Sequence, residues 1–169
     1  MPIRLDEIDF SPYGSYHAFD YKRHTLCESE EPILKRPLYL GITKCGSMPF
    51  VSLLMERHIS TEELLFPGDK PLVLAIANSD PEDKPRTDDV IAFYLRPGEL
   101  VALKPGVWHD ACRAVQGDTY YYFMAKNDGS PRETEWVGIA PEGVRIAMRS
   151  QSNGLAIKPE EERTCNYRR

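Results

Sequence analysis

Fourteen prolines and eleven glycines interrupt this chain of 169 residues at short intervals. Proline inside a helix removes a backbone donor and collides with the preceding turn, and glycine there loses more backbone freedom than any other residue. Little room is left for long helices. The uninterrupted segments are short and rich in β-branched or aromatic residues. They are Phe50 to Met55, Pro71 to Ala77, Val90 to Leu95, Leu100 to Leu103, Thr119 to Ala125 and Val144 to Met148. Many short strands divided by turn residues read as a sandwich or a closed barrel. Polar loops are expected at Asp80 to Pro85 and Lys126 to Pro131. Phe10-Ser11-Pro12-Tyr13-Gly14 reads as a tight turn with Ser11 as its cap.

Bulk charge narrows the partners. The net charge is −5 at pH 7, whereas phosphate binding needs a basic face, so nucleic acid is not expected. No apolar run approaches the roughly 18 residues of a membrane helix. The start, Met1-Pro2-Ile3-Arg4-Leu5-Asp6, lacks the apolar core of a signal peptide. A cytoplasmic location is the resulting expectation. Cys27, Cys45, Cys112 and Cys165 are scattered without a Cys-x-x-Cys pair, so free thiols are expected. Length and the lack of a clear linker argue for a single domain over 1–169. Its barrel core is expected at about 36–150, with an N-terminal extension and a C-terminal tail packed on it. The charged stretch Tyr21 to Lys35 has no placement, and Lys158 to Arg163 reads as a solvated turn or tail.

Two segments carry the chemistry. One is Met55-Glu56-Arg57-His58, followed by Glu62, Glu63 and Pro67-Gly68; the other is Lys104-Pro105-Gly106-Val107-Trp108-His109. Each sets a histidine at the edge of an apolar run, near a Pro-Gly turn. Side chains two apart on a strand share a face, so Glu56 and His58 project together and Arg57 projects away. Arg57 is then expected to pair with an acidic residue on the barrel exterior or at a subunit interface, rather than to bind substrate. His109 on a later strand would bring a second imidazole to that face, and Glu62 or Glu63 another carboxylate. Two imidazoles with one or two carboxylates suit a divalent transition metal: Ni, Mn, Fe or Zn. The competing reading of each residue alone is a satisfied core or surface side chain. His17 and His24 lie in polar surroundings and are read as structural.

The run from Gly98 through Leu103 to Lys104-Pro105-Gly106-Val107-Trp108-His109 resembles the second cupin motif. Glu56-Arg57-His58 through Glu63 and Gly68 resembles the first, with Glu56 where a histidine is usual. Within the cupins, the Glu-Arg-His run, the Phe66-Pro67 turn, and Ala92-Phe93 leading to Val107-Trp108-His109 are similar to the ureidoglycolate lyase family. The order and approximate spacing hold from about residue 10 to residue 125. Departures lie beside the motifs. Glu63, Lys104 and Asp110 stand where that family tends to have glutamine, histidine and histidine, and its Asn-Asn-Gly segment has no counterpart in Tyr21 to Lys35.

The resemblance implies a cupin-type double-stranded β-helix, that is, a jelly-roll barrel. It implies a small-molecule lyase that cleaves ureidoglycolate to glyoxylate and urea. It implies a metal held by Glu56, His58, Glu63 and His109, and a homodimer. Lys104 and Glu63 would move protons, or Lys104 would hold the substrate carboxylate as a plain charge. Asp110 would line the substrate pocket, and Trp108 would be a wall of that pocket or a core residue, its indole N–H finding a partner. Two other readings use the same barrel. One is a different metal-dependent cupin enzyme acting on a sugar or hydroxy acid, because fold alone does not select a reaction. The other is a non-catalytic cupin that binds a small molecule.

Overall fold

The computed structural model describes residues 2–18, 38–78, 84–126 and 134–148. The unplaced stretch Tyr21 to Lys35, His24, Cys27, Cys165 and Lys158 to Arg163 lie outside these residues. So do most of the two expected polar loops.

Fourteen strands are formed by the described residues: β1 (Ile3–Arg4), β2 (Gly14–Ala18), β3 (Leu38–Cys45), β4 (Phe50–Ser52), β5 (Leu54–His58), β6 (Glu63–Pro67), β7 (Leu72–Ala77), β8 (Ile91–Leu95), β9 (Glu99–Leu103), β10 (Trp108–His109), β11 (Arg113–Ala114), β12 (Thr119–Lys126), β13 (Thr134–Gly138) and β14 (Val144–Ile146). Short 3-10 turns at Leu5–Glu7 and Thr87–Asp89 are the helical elements among them. The β-rich reading of the chain therefore holds.

Two sheets face each other. The first runs β1-β8-β7-β10-β5-β13 and the second β2-β9-β6-β12-β3, while β4 and β14 form a separate pair. Eight of these strands make the barrel. Numbered one to eight along the chain (β3, β5, β6, β7, β8, β9, β10, β12), they take the order 1-8-3-6 in the second sheet and 5-4-7-2 in the first. All six neighbouring pairs within those two quartets are antiparallel. Two antiparallel four-stranded sheets in this order, the chain crossing between them at every step except from the fourth strand to the fifth, form a jelly roll, the fold of the cupins. The N-terminal strands extend both sheets: β1 pairs with β8 in parallel and β2 pairs with β9 antiparallel. Gly14 is required at that second junction, because a side chain there would run into the Ala102 carbonyl.

Two cores explain the apolar runs. Leu65, Leu72, Leu74, Ile76, Phe93, Leu95, Val101, Leu103 and Tyr121 fill the space between the sheets. Met55, Val73, Ala75, Ala77, Ala92 and Trp108 pack on the outside of the first sheet against Ile139, Val144 and Ile146. Strand β7 is thus buried on both faces, and all six of its residues are apolar. Cys45 and Cys112 are buried free thiols, as expected of them. The turn at Ser11 is present, but its side-chain cap is Asp9, whose Oδ1 accepts from the Ser11 amide at 3.0 Å.

Phe10 and Tyr13 close one end of the inner core on Phe93, with ring centroids 5.2 and 5.6 Å from it. Phe93 is fully buried. Phe93→Ala should lower unfolding stability by roughly 3–5 kcal/mol. Leu53→Ala, at a side chain 63% exposed, should stay within about 0.5 kcal/mol. Urea denaturation of both variants checks the contrast; equal losses would contradict this placement of the core.

Candidate metal centre

The backbone sets the site before any side chain does. Strand β10 is only two residues long. It lies between β7 and β5, pairing Trp108 with Ala77, and His109 with both Ile76 and Glu56. The loop before it is anchored to β5, because the Gly106 amide donates to the His58 carbonyl at 2.7 Å. Gly106 adopts φ +82°, a left-handed conformation that side chains other than glycine rarely accept. Alternation along β10 then separates its two residues. His109 points between the sheets and Trp108 points outward.

Three side chains converge inside. Glu63 Oε2, on the first residue of β6, lies 2.7 Å from His109 Nε2 and 3.4 Å from His58 Nε2. The ligand atoms of His58, Glu63 and His109 all lie within 4.8 Å of one another. All three atoms are buried, and none has an aligned hydrogen bond among the described residues. His109 Nδ1 lies 3.1 Å from the Val107 carbonyl. A carbonyl only accepts, so Nδ1 carries the proton, and Nε2 of a neutral His109 turns a lone pair toward the Glu63 oxygen. Two lone pairs 2.7 Å apart call for a positive charge between or upon them. A proton on the imidazole supplies one, and so does a divalent cation. Two imidazole nitrogens and a carboxylate are a donor set that such a cation accepts, so these residues fit a metal.

The electrostatics agree. Burial pushes the Glu63 carboxyl up, but the imidazoles of His109 and His58 outweigh it and hold it at about 2. Burial opposes a charged His109, yet Glu63 and Glu56 raise its pKa above the usual value. Glu56 is half-buried at the edge of the group, with Oε1 3.8 Å from His109 Nε2. Burial raises its carboxyl above the ordinary range. Glu63 rather than Glu62 enters the cluster, which decides between the two.

The other expected site residues fall elsewhere. Trp108 does not line the pocket. It is fully buried in the outer core, with the Arg57 guanidinium 4.4 Å from its ring centroid. Adjacent strand residues face opposite ways, so Trp108 and His109 cannot both look inward. Its Nε1 has no hydrogen-bond partner among the described residues, contrary to the expectation for a buried indole. Arg57 pairs with Glu135 on β13 at 2.6 Å, on the outside as anticipated. Lys104 does not join the cluster: it is exposed, and its Nζ donates to the Ser11 carbonyl at 2.8 Å. Asp110 is buried just beyond His109, where its Oδ1 accepts from the Ala111 amide at 2.7 Å. His17 lies 3.1 Å from the Ser15 hydroxyl on β2, away from this group.

Sequence reasoning passed over β13. Its Thr134 stands opposite His58, with Oγ1 3.4 Å from His58 Nδ1. The β-branched and aromatic residues Thr134, Trp136 and Val137, ending at Gly138, were a usable signal for a strand.

The sequence profile described as ureidoglycolate lyase matches residues 20–144. The chain belongs to the ureidoglycolate lyase family. Comparison with curated proteins gives no match. Among solved structures, a 3,4-ketoisomerase from Helicobacter canadensis aligns at 13% identity and TM-score 0.44, covering 73% of this chain and 86% of that one. A dTDP sugar isomerase from Desulfovibrio desulfuricans G20 aligns at 14% identity and TM-score 0.41, covering 81% and 83%. RmlC from Streptococcus suis, solved with dTDP-D-xylose, aligns at 10% identity and TM-score 0.39 over 56% of this chain. That last match spans 46% of the RmlC chain. Among the described residues, no helix is long and apolar enough to cross a membrane.

A carboxyl held at about 2, below its ordinary 4.5, stabilises the fold above its unfolded pKa. That contribution is lost as pH falls toward the folded value. Chelated, metal-free protein should therefore lose stability between about pH 4.5 and 2, and Glu63→Gln should lack that component of the loss. Thermal melts across this range measure it; identical acid profiles would show that Glu63 is not held by the imidazoles.

Proposed function

We propose that the protein cleaves ureidoglycolate to glyoxylate and urea at the buried cluster, with a divalent metal held by His58, Glu63 and His109. The convergence of two imidazole nitrogens on one buried carboxylate oxygen carries this reading, and family membership supplies the reaction class. Ureidoglycolate is a carbinolamide. Its hydroxyl loses a proton, the C–O bond becomes a carbonyl as the C–N bond breaks, and the departing urea nitrogen takes a proton. A bound divalent ion would act as a Lewis acid toward the hydroxyl and carboxylate oxygens.

Residues of the chain do the remainder. Glu56 stands outside the three-atom group and faces the same interior, so it takes the hydroxyl proton and returns it to the urea nitrogen. The Val107 carbonyl and Thr134 hydroxyl orient the two imidazoles. Lys104 has no part in this scheme, because its ammonium is bound to the Ser11 carbonyl. The proposal also places the enzyme in the cytoplasm as a homodimer. Strand β3 is the edge of its sheet among the described residues, with Leu40 and Ile42 exposed, and pairing is one way to protect such an edge.

Elemental analysis of purified protein should find a divalent metal, and His58→Ala and His109→Ala should each strip it. Glu56→Gln should keep the metal and lower kcat by about 10²- to 10⁴-fold. Metal-replete protein that releases no glyoxylate from racemic ureidoglycolate would remove the lyase reading. Full metal content in both histidine variants would remove the ligand assignment. Sedimentation showing a monomer at micromolar concentration would remove the dimer.

A further inference from the structure

Strand β13 forms the edge of the first sheet beyond β5, and its register decides which of its side chains meet the site. Thr134 lies opposite His58, Glu135 opposite Arg57 and Trp136 opposite Glu56. Two contacts confirm which way each side chain faces. Glu135 binds Arg57 on the outer face at 2.6 Å, and Thr134 reaches His58 on the inner face at 3.4 Å. Trp136, two residues beyond Thr134, therefore stands on the inner face beside Glu56. Directly opposed residues of an antiparallel pair have Cβ atoms about 4.5–5.5 Å apart.

Trp136 is 54% exposed, an unusual state for so large an apolar ring. Leu54, on the same face of β5 and two residues before Glu56, is 53% exposed. The inner-face residues of β13 are all exposed, while its outward Val137 packs against the outer core. The inner face of β13 beside Glu56 is thus open to solvent. A flat indole and a leucine stand there, next to the carboxylate at the edge of the cluster.

We infer that Trp136 is a specificity-determining residue: its indole stacks on a planar, uncharged group of the substrate while the polar cluster binds the substrate's oxygens. The inference rests on the proposed lyase reading, in which that planar group is the ureido moiety. A ureido plane of about the right width for an indole face, tied to a short hydroxy acid, has this division into a flat half and an oxygen-rich half. Simple hydroxy acids lack the flat half and gain nothing from Trp136.

The test uses fluorescence of the metal-replete full chain. The chain has two tryptophans, and Trp108 is buried behind the sheet, so a ligand at the site reports through Trp136. The probe is N-carbamoylglycine, which has the ureido plane and the carboxylate but no carbinol, and so is not cleaved. Glycolate, which lacks the ureido plane, is the control. N-carbamoylglycine should quench or shift the emission and glycolate should not, and Trp136→Phe should abolish the response. Trp136→Leu should weaken N-carbamoylglycine binding and raise KM for ureidoglycolate by about five- to tenfold, with kcat within about twofold.

An unchanged emission response in Trp136→Phe, or unchanged affinity in Trp136→Leu, overturns the inference. An emission that shifts with protein concentration instead of ligand assigns Trp136 to a subunit interface and overturns it too. The two readings also separate. Glyoxylate release with a silent Trp136 removes this inference alone. A responsive Trp136 without glyoxylate release removes the lyase reading alone.

Discussion

The pairing of β10 with its two neighbours is the constraint on which the rest of the site depends. Two residues of backbone, Trp108 and His109, are fixed by Ala77 and Ile76 on one side and by Glu56 on the other. Backbone alternation does the rest. It sends one large aromatic into the outer core and one imidazole into the barrel. A shift of one residue in this register would exchange them, placing an indole among the carboxylates and a histidine in an apolar core. The anchoring of Gly106 to the His58 carbonyl makes that shift costly.

Burial explains the composition of the cluster. A carboxylate nine-tenths removed from water needs compensating charge or hydrogen bonds. Glu63 faces two imidazole nitrogens at 2.7 and 3.4 Å, which supply that charge when protonated or when they share a cation with it. The Val107 carbonyl turns the His109 ring so that Nε2 faces Glu63. A proton and a metal ion compete for that nitrogen, so metal affinity should be coupled to acidity, as it is for imidazole sites in general.

The back of the first sheet supports the front. Arg57 lies over the Trp108 ring and bonds Glu135, tying β10, β5 and β13 together on the face away from the site. The same three strands carry His109, Glu56, His58 and Thr134 on the inner face. An arginine held between an aromatic ring and a carboxylate is well suited to such a clamp, because its planar head can stack and donate at once. The outer core of Met55, Val73 and Ile146 seals this layer from water.

The sequence by itself determined the β-rich character and several strands, because burial on both faces writes a continuous apolar run. Leu72–Ala77 and the Leu100 to Leu103 part of β9 are wholly buried and apolar, and both were legible on that account. It also determined that Glu56 and His58 share a face and that Arg57 turns away, since those relations lie within one strand. Tertiary structure decided what lies between strands. Strand β10 exists only through its neighbours, being too short to show a period of its own. That Glu63 rather than Glu62 meets the histidines depends on where β6 begins against β12 and β9. Lys104, near His109 along the chain, was expected to move protons or hold the substrate carboxylate, but the Ser11 carbonyl of a distant turn holds its ammonium. Trp136 had no meaning until β13 was registered on β5. Local periodicity reads the direction of a side chain from its own strand; only the pairing of strands far apart in sequence decides which side chain it meets.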